Sequence, residues 1–312
     1  MKPNQQLKSQ ILRSLSLMWA TLWVLLASAF PDTATVQSLE RNVIVTVVDA
    51  DNEPVKGLTT SDFEIFEEGA EREVLRVSPA RQGRQITVLV DTSQSAARVA
   101  GDFRDALGLF FEAMHSDNQI SLVGFGGPPR ILVDSTTNLD RLKAGLGQIF
   151  GFPGTAAYLL DAISQVANGF LRRDSNRPVM LVLATEGLDY SNSSSREVLN
   201  QLTESNTAFY ALVIDERGNG SRALNLSQPE IFRQELERNI VLERGPRDSG
   251  GKRRQLFSST ALEQTIKEIV IELKNQYLVT YARPNRLIPP EHFEVNVVKT
   301  GLTARGTFLR DE

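Results

Sequence analysis

From residue 86 onward the chain alternates short uninterrupted apolar runs with stretches whose apolar residues recur every three or four positions. The runs are Ile86-Thr-Val-Leu-Val90, Ile120-Ser-Leu-Val-Gly-Phe125, Pro178-Val-Met-Leu-Val-Leu183 and Ala208-Phe-Tyr-Ala-Leu-Val-Ile214. Runs of this kind suit strands of a parallel sheet buried on both faces. Residues 99–114 place Phe103, Leu107, Phe110, Phe111 and Met114 at helical spacing, and residues 158–166, 194–206, 229–243 and 261–275 also read as helices. Asn138 starts a short capped helix expected to reach about Phe150. The Gly126-Gly-Pro-Pro129 turn returns the chain as an antiparallel edge strand at Arg130-Ile-Leu-Val133, and Arg254-Gln-Leu-Phe257 reads as a short last strand. This alternation predicts an α/β fold, a doubly wound and mostly parallel sheet flanked by helices.

The two ends follow another period. Arg41-Asn-Val-Ile-Val-Thr-Val-Val48 is β-branched, Phe63-Glu-Ile-Phe-Glu67 alternates, Glu68-Gly69 resembles a hairpin tip, and Glu73-Val-Leu-Arg-Val77 alternates again. After residue 276 the pattern is β once more, at Gln276-Tyr-Leu-Val-Thr-Tyr281, Phe293-Glu-Val-Asn-Val-Val298 and Thr307-Phe-Leu309. About forty residues bury too little to stand alone. The C-terminal strands are therefore expected to pair with the N-terminal ones in one small β module. The expected divisions are a leader at 1–29, an N-terminal β module at 30–82, the α/β domain at 84–276 and a C-terminal β segment at 277–312.

The leader reading rests on Lys2, Lys8 and Arg13 ahead of an apolar stretch from Leu15 to Ala29, with Ala27-Ser-Ala29 as a small-residue cleavage site. Cleavage after Ala29 would place the protein outside the cytoplasm, secreted or in the periplasm or cell envelope. An uncleaved segment would instead be a weak membrane anchor, the one route by which a membrane enters as a partner. The 312 residues contain 41% hydrophobic and 23% charged residues and a net charge of -4, ordinary for a globular chain with a core. No long basic tract suggests nucleic acid, and Lys252-Arg253-Arg254 reads as a solvated loop edge. Cysteine is absent, which excludes disulfides, thiolate nucleophiles and cysteine-based zinc sites.

Candidate chemistry gathers where apolar runs stop. Asp91-Thr-Ser93-Gln-Ser95 follows the first run, at the strand end where open α/β sheets place ligands. Its carboxylate and two hydroxyls are oxygen donors suited to a hard divalent cation such as Mg²⁺. The same residues would also serve as a turn and helix N-cap. Two further loops stand in comparable places, Gly154-Thr155 before a helix and Thr185-Glu186-Gly187 after the third run.

These three loops, in this order, resemble the von Willebrand factor A domain and its metal-ion-dependent adhesion site, over about residues 84–276. The flanking segments Leu58-Thr-Thr-Ser-Asp62-Phe63-Glu and Gln276-Tyr-Leu-Val-Thr-Tyr281 resemble a secreted bacterial subgroup labelled acidobacterial von Willebrand factor A-related proteins. The resemblance implies a cation, Mg²⁺ foremost with Mn²⁺ or Ca²⁺ possible, held by Ser93 and Ser95 directly and by Asp91 largely through water. Thr155 would pass between direct and water-mediated contact, or would simply cap the helix that follows it. The third loop departs from the family, with Glu186 where Asp is usual. One extra methylene displaces the carboxylate by roughly 1.5 Å, a change that the octahedral geometry of Mg²⁺ tolerates poorly. Asp189 would substitute for it or stand as a solvated loop acid.

By the same resemblance the protein is a binding module whose cation accepts a Glu or Asp from a protein partner. Two alternatives belong to other classes: a structural scaffold with a degenerate metal site, and a metal-dependent hydrolase. Against the hydrolase, His115 and His292 stand apart from all three loops, and neither a Gly-x-Ser-x-Gly elbow nor a phosphate-binding Gly-Lys-Ser/Thr loop occurs.

Overall fold

The computed structural model describes residues 38–215, 227–284 and 292–308; the expected leader and its Ala29 junction lie outside them. In chain order, β1 (Ser38–Val48), β2 (Phe63–Glu67), β3 (Ala70–Arg72) and β4 (Val74–Pro79) precede the α/β layer. That layer comprises β5 (Gln85–Val90), α1 (Ala100–Met114), β6 (Gln119–Gly124), β7 (Arg130–Thr136), α2 (Leu139–Leu146), α3 (Leu159–Arg172) and β8 (Pro178–Thr185). It continues through α4 (Ser195–Glu204), β9 (Ala208–Ile214), α5 (Gln228–Asp248), β10 (Lys252–Leu256) and α6 (Leu262–Lys274). Strands β11 (Tyr277–Pro284), β12 (Phe293–Val297) and β13 (Thr303–Phe308) close the chain.

Six strands form the central sheet in the order β10-β9-β8-β5-β6-β7. All pairs are parallel except the edge strand β7, which runs antiparallel to β6 as its turn sequence requires. The apolar runs become strands because helices cover both faces. Ile86, Val88 and Val90 share one core with Phe103, Leu107 and Phe110 of α1 and Ile266, Ile269 and Leu273 of α6. Leu89 faces the opposite core with Ile163 of α3, Val198 and Leu202 of α4 and Val241 and Leu242 of α5. Each such side chain contributes about 1.5–3 kcal/mol by leaving water. The sheet grows in both directions from β5, with β6 on one side and β8 on the other, so the strand order reverses at the end that carries Asp91.

The chain ends build the other layer. One sheet has the order β13-β1-β11-β4 and a second the order β12-β2-β3, and their inward residues share a core that includes Val45, Val47, Ile65, Val279, Tyr281 and Val295. N- and C-terminal strands therefore complete one β module, as the alternating segments at both ends imply. Glu67 is buried in it, where its carboxylate accepts hydrogen bonds from the Tyr281 hydroxyl at 2.7 Å and Arg283 Nε at 2.9 Å.

Two buried arginines tie the layers together. Arg177 donates to the carbonyls of Ala80 and Gln82, Arg84 donates to the carbonyl of Leu273, and Gln276 Oε1 accepts from both guanidinium groups. Gln276 Nε2 then donates to Thr46 Oγ1 of β1 at 3.0 Å. Burial and the neighbouring Arg84 pull Arg177 down to about 9, still protonated at neutral pH.

Several elements differ from the sequence reading. Residues 70–79 do not form one hairpin arm: β3 pairs with β2, and β4 crosses to the other sheet to pair with β11. The helix from Asn138 ends at Leu146, and α5 runs on to Asp248 through Pro246. Lys252-Arg253-Arg254 is an edge strand rather than a solvated loop, with Arg253 paired to Glu243 and Arg254 to Glu268.

Candidate functional site

The first loop is fastened by its own carboxylate. Asp91, 1% exposed, accepts the Ser93 N–H on Oδ1 at 2.8 Å. Its Oδ2 accepts the N–H and the hydroxyl of Thr185 at 3.2 and 2.6 Å. Thr185 is the last residue of β8, so the acid joins the ends of two adjacent parallel strands. The short 3-10 turn Gln94–Arg98 begins after Ser93, yet the Ser93 side chain makes no capping bond. Its hydroxyl is buried and has no hydrogen-bond partner among the described residues. Ser95 sits half-buried in the same turn.

The second loop is stitched to the first. Gln94 N–H donates to the Thr155 carbonyl at 3.1 Å, Gly154 N–H to Gln94 Oε1 at 2.8 Å and Phe152 N–H to the Thr92 carbonyl at 3.0 Å. A Cβ on Gly126 would overlap the backbone of Thr92 and Ser93, and one on Gly151 would overlap Ala97. Glycine at these positions is what lets neighbouring loops close on the Asp91 turn. The Thr155 hydroxyl donates to the Phe152 carbonyl at 2.8 Å and does not cap the following helix. That cap comes from Asp189, which accepts the Leu159 and Leu160 N–H groups at 3.1 and 3.0 Å. The solvated acid expected at 189 is thus a buried helix cap, 2% exposed, and burial raises its carboxyl above the usual aspartate value.

The third loop points its acid elsewhere. Glu186 Oε2 pairs with Arg238 Nη1 at 3.4 Å and Oε1 accepts from Gln255 Nε2 at 3.4 Å. Arg238, from α5, also donates to the Thr185 carbonyl at 2.8 Å. Sequence reasoning missed this arginine because no local pattern marks it. Its place is set by α5, which brings it to the Thr185 carbonyl at the end of β8. The structure therefore joins Asp91, Ser93 and Thr185 directly, docks the Thr155 loop against them, and leaves Glu186 bound to Arg238 and Gln255. Among the described residues, no group of three or more His, Cys, Asp or Glu gathers as a metal cluster. A cation here would rest on hydroxyls, water and one acid, and the unpartnered Ser93 hydroxyl fits such a ligand.

Beside the site, Thr92, Gly126, Pro128, Arg130 and Phe152 line a recess of about 250 Å³. Phe150 and Phe152 are 51% and 38% exposed and meet edge to face, with centroids 6.4 Å apart.

Residues 86–189 match the family model of the von Willebrand factor type A domain. Comparison with curated proteins gives no match. Similar solved structures include BatB from Bacteroides thetaiotaomicron, 14% identical with a TM-score of 0.46 over 62% of this chain and 100% of that one. A von Willebrand factor type A protein from Catenulispora acidiphila is 11% identical, with a TM-score of 0.47 over 90% of this chain and 66% of that one. Proximal thread matrix protein 1 from the mussel byssus, with a zinc-occupied MIDAS motif, is 10% identical, with a TM-score of 0.46 over 67% of this chain and 49% of that one.

Proposed function

We propose that this von Willebrand factor type A domain, carried on its β module, is a protein-binding module that captures a Glu or Asp of a partner through a divalent cation. Asp91, Ser93, Ser95 and Thr155 would hold the ion. The observation that carries the reading is the Ser93 hydroxyl, buried two residues from a carboxylate with no hydrogen-bond partner among the described residues. A buried polar group left in that state costs roughly 1–3 kcal/mol, and a bound cation would offset it. Both Asp91 oxygens already accept protein donors, which favours a water between the acid and the ion.

With one carboxylate nearby, the ion keeps positive charge and an open position for an acid. Mg²⁺ suits this set best, with Mn²⁺ or Ca²⁺ as alternatives. Phe150 and Phe152 provide apolar contact area beside that position. The basic-then-apolar N-terminal segment supports action outside the cytoplasm, with cleavage after Ala29. A scaffold with a degenerate site is the second reading, favoured by the engagement of Glu186 with Arg238.

Thermal and urea unfolding in Mg²⁺, Mn²⁺ or Ca²⁺ against a chelator tests the choice. A cation at a hundred times its dissociation constant should stabilise the folded chain by about 2.7 kcal/mol, and Ser93→Ala should abolish that gain. No stabilisation by any of the three at millimolar levels would leave the scaffold reading.

A further inference from the structure

Arg238 is 4% exposed and lies against the end of β8. Its guanidinium grips the carbonyl of Thr185, the same residue whose N–H and hydroxyl hold Asp91. A guanidinium this buried needs an opposite charge close by, because breaking such a pair strands a desolvated ion. Glu186, with its side chain 36% exposed, pairs with it. The backbone of Glu186 is fixed by its N–H bond to the Ile214 carbonyl, so the longer side chain is what reaches Arg238 and Gln255. Both carboxylate oxygens are engaged, each by a different donor. Asp189 and Arg253 lie in the same field, the first near Arg238 and the second near both partners.

We infer that Arg238 is a specificity-determining residue of the cation site, withholding the third-loop carboxylate so that the ion's sphere stays open until a partner supplies the acid. The inference rests on the cation reading above. Moving Glu186 to the ion would break its bonds to Arg238 and Gln255 and leave a buried positive charge beside a divalent one. The free protein therefore holds its cation less tightly than Glu186 in the sphere would allow, and cation and acidic partner bind cooperatively. The substitution of Glu for the usual Asp is then functional: the extra methylene lets the acid reach away from the ion.

The test is Mn²⁺ titration of the full chain, reading free Mn²⁺ by electron paramagnetic resonance. The variants are Arg238→Gln, Glu186→Gln, the double variant and Ser93→Ala, with folding checked by circular dichroism. Removing groups that position metal ligands from behind changes affinity by about 10–100-fold. Here the sign is reversed: Arg238→Gln should tighten Mn²⁺ by at least about tenfold by freeing Glu186, and the double variant should lose that gain. Glu186→Gln alone bares the Arg238 charge and should not tighten Mn²⁺. An Arg238→Gln chain that folds and binds no tighter overturns the proposal. So does a double variant that keeps the gain, or a Glu186→Gln chain, exposed enough to fold, that gains about tenfold by itself. A Ser93→Ala chain that binds Mn²⁺ like wild type would instead overturn the cation site itself.

Discussion

Asp91 and Ser93 are two residues apart, and the unliganded fold depends on them in opposite ways. Asp91 accepts three hydrogen bonds, one from Ser93 within its own turn and two from Thr185 that tie the turn to β8. Asp91→Ala should therefore cost about 2–3 kcal/mol in chelator, since bonds to a charged acceptor are worth more than neutral ones. Ser93→Ala removes a buried hydroxyl with no hydrogen-bond partner among the described residues, so in chelator it should be neutral or stabilising by up to about 1 kcal/mol. Urea unfolding of both variants separates structural from cation effects. Asp189 adds a pH dependence. Burial raises its carboxyl above 3.8, against opposing hydrogen bonds from Ser191 and Leu160 and the charge of Arg238. The folded chain then holds this proton longer than the unfolded one, so the group's contribution to stability falls as pH rises from 3.8 through the folded value. Asp189→Asn should remove that descent from the stability profile. The Asp91 turn was legible in the sequence because donors and strand are contiguous. The Asp189 cap and the Arg238 pair were not, because each joins residues that only the fold brings together.

The elements read most clearly were those whose burial is complete, such as β5, β8 and β9, where an uncharged run leaves little else for the backbone to do. Strand β13 was half missed, since Thr303-Ala-Arg-Gly306 has no apolar alternation and is a strand only because β1 pairs with it. The β3–β4 break was hidden for a related reason: one alternating stretch serves two sheets, and sequence period does not say which. The loop contacts around the site yield a sharper expectation. Gly126 lies against Thr92 and Ser93 and donates its N–H to Thr92 Oγ1 at 2.8 Å. Gly126→Ala must push the Asp91 turn outward, and its Mn²⁺ affinity should drop by about tenfold or more, with the helical content by circular dichroism unchanged.

For the molecule as a whole, Gln276 is the residue on which both layers depend. It accepts from Arg84 and Arg177 and donates to Thr46. Gln276→Ala would leave two buried guanidinium groups short of an acceptor, at about 2–4 kcal/mol. Urea unfolding monitored by circular dichroism and tryptophan-independent probes of the β module should then change from one transition to two. The two-layer plan was legible from the change of period at both ends of the chain. The clamp was not, because glutamine between two arginines leaves no pattern. One consequence of the pairing between β1 and β13 concerns the order of events in folding. Val43 finds Phe308, and Val48 finds Thr303, across nearly the whole described chain. Such a pairing is slow to find unless the intervening residues fold first and bring the ends together. The α/β layer does this: once formed, it holds residues 80–84 beside Gln276 and shortens the remaining search. Refolding should thus show a fast phase for the α/β layer and a slower one for the β module. During synthesis the Asp91 and Thr155 loops would take shape while β1 still waits for β13.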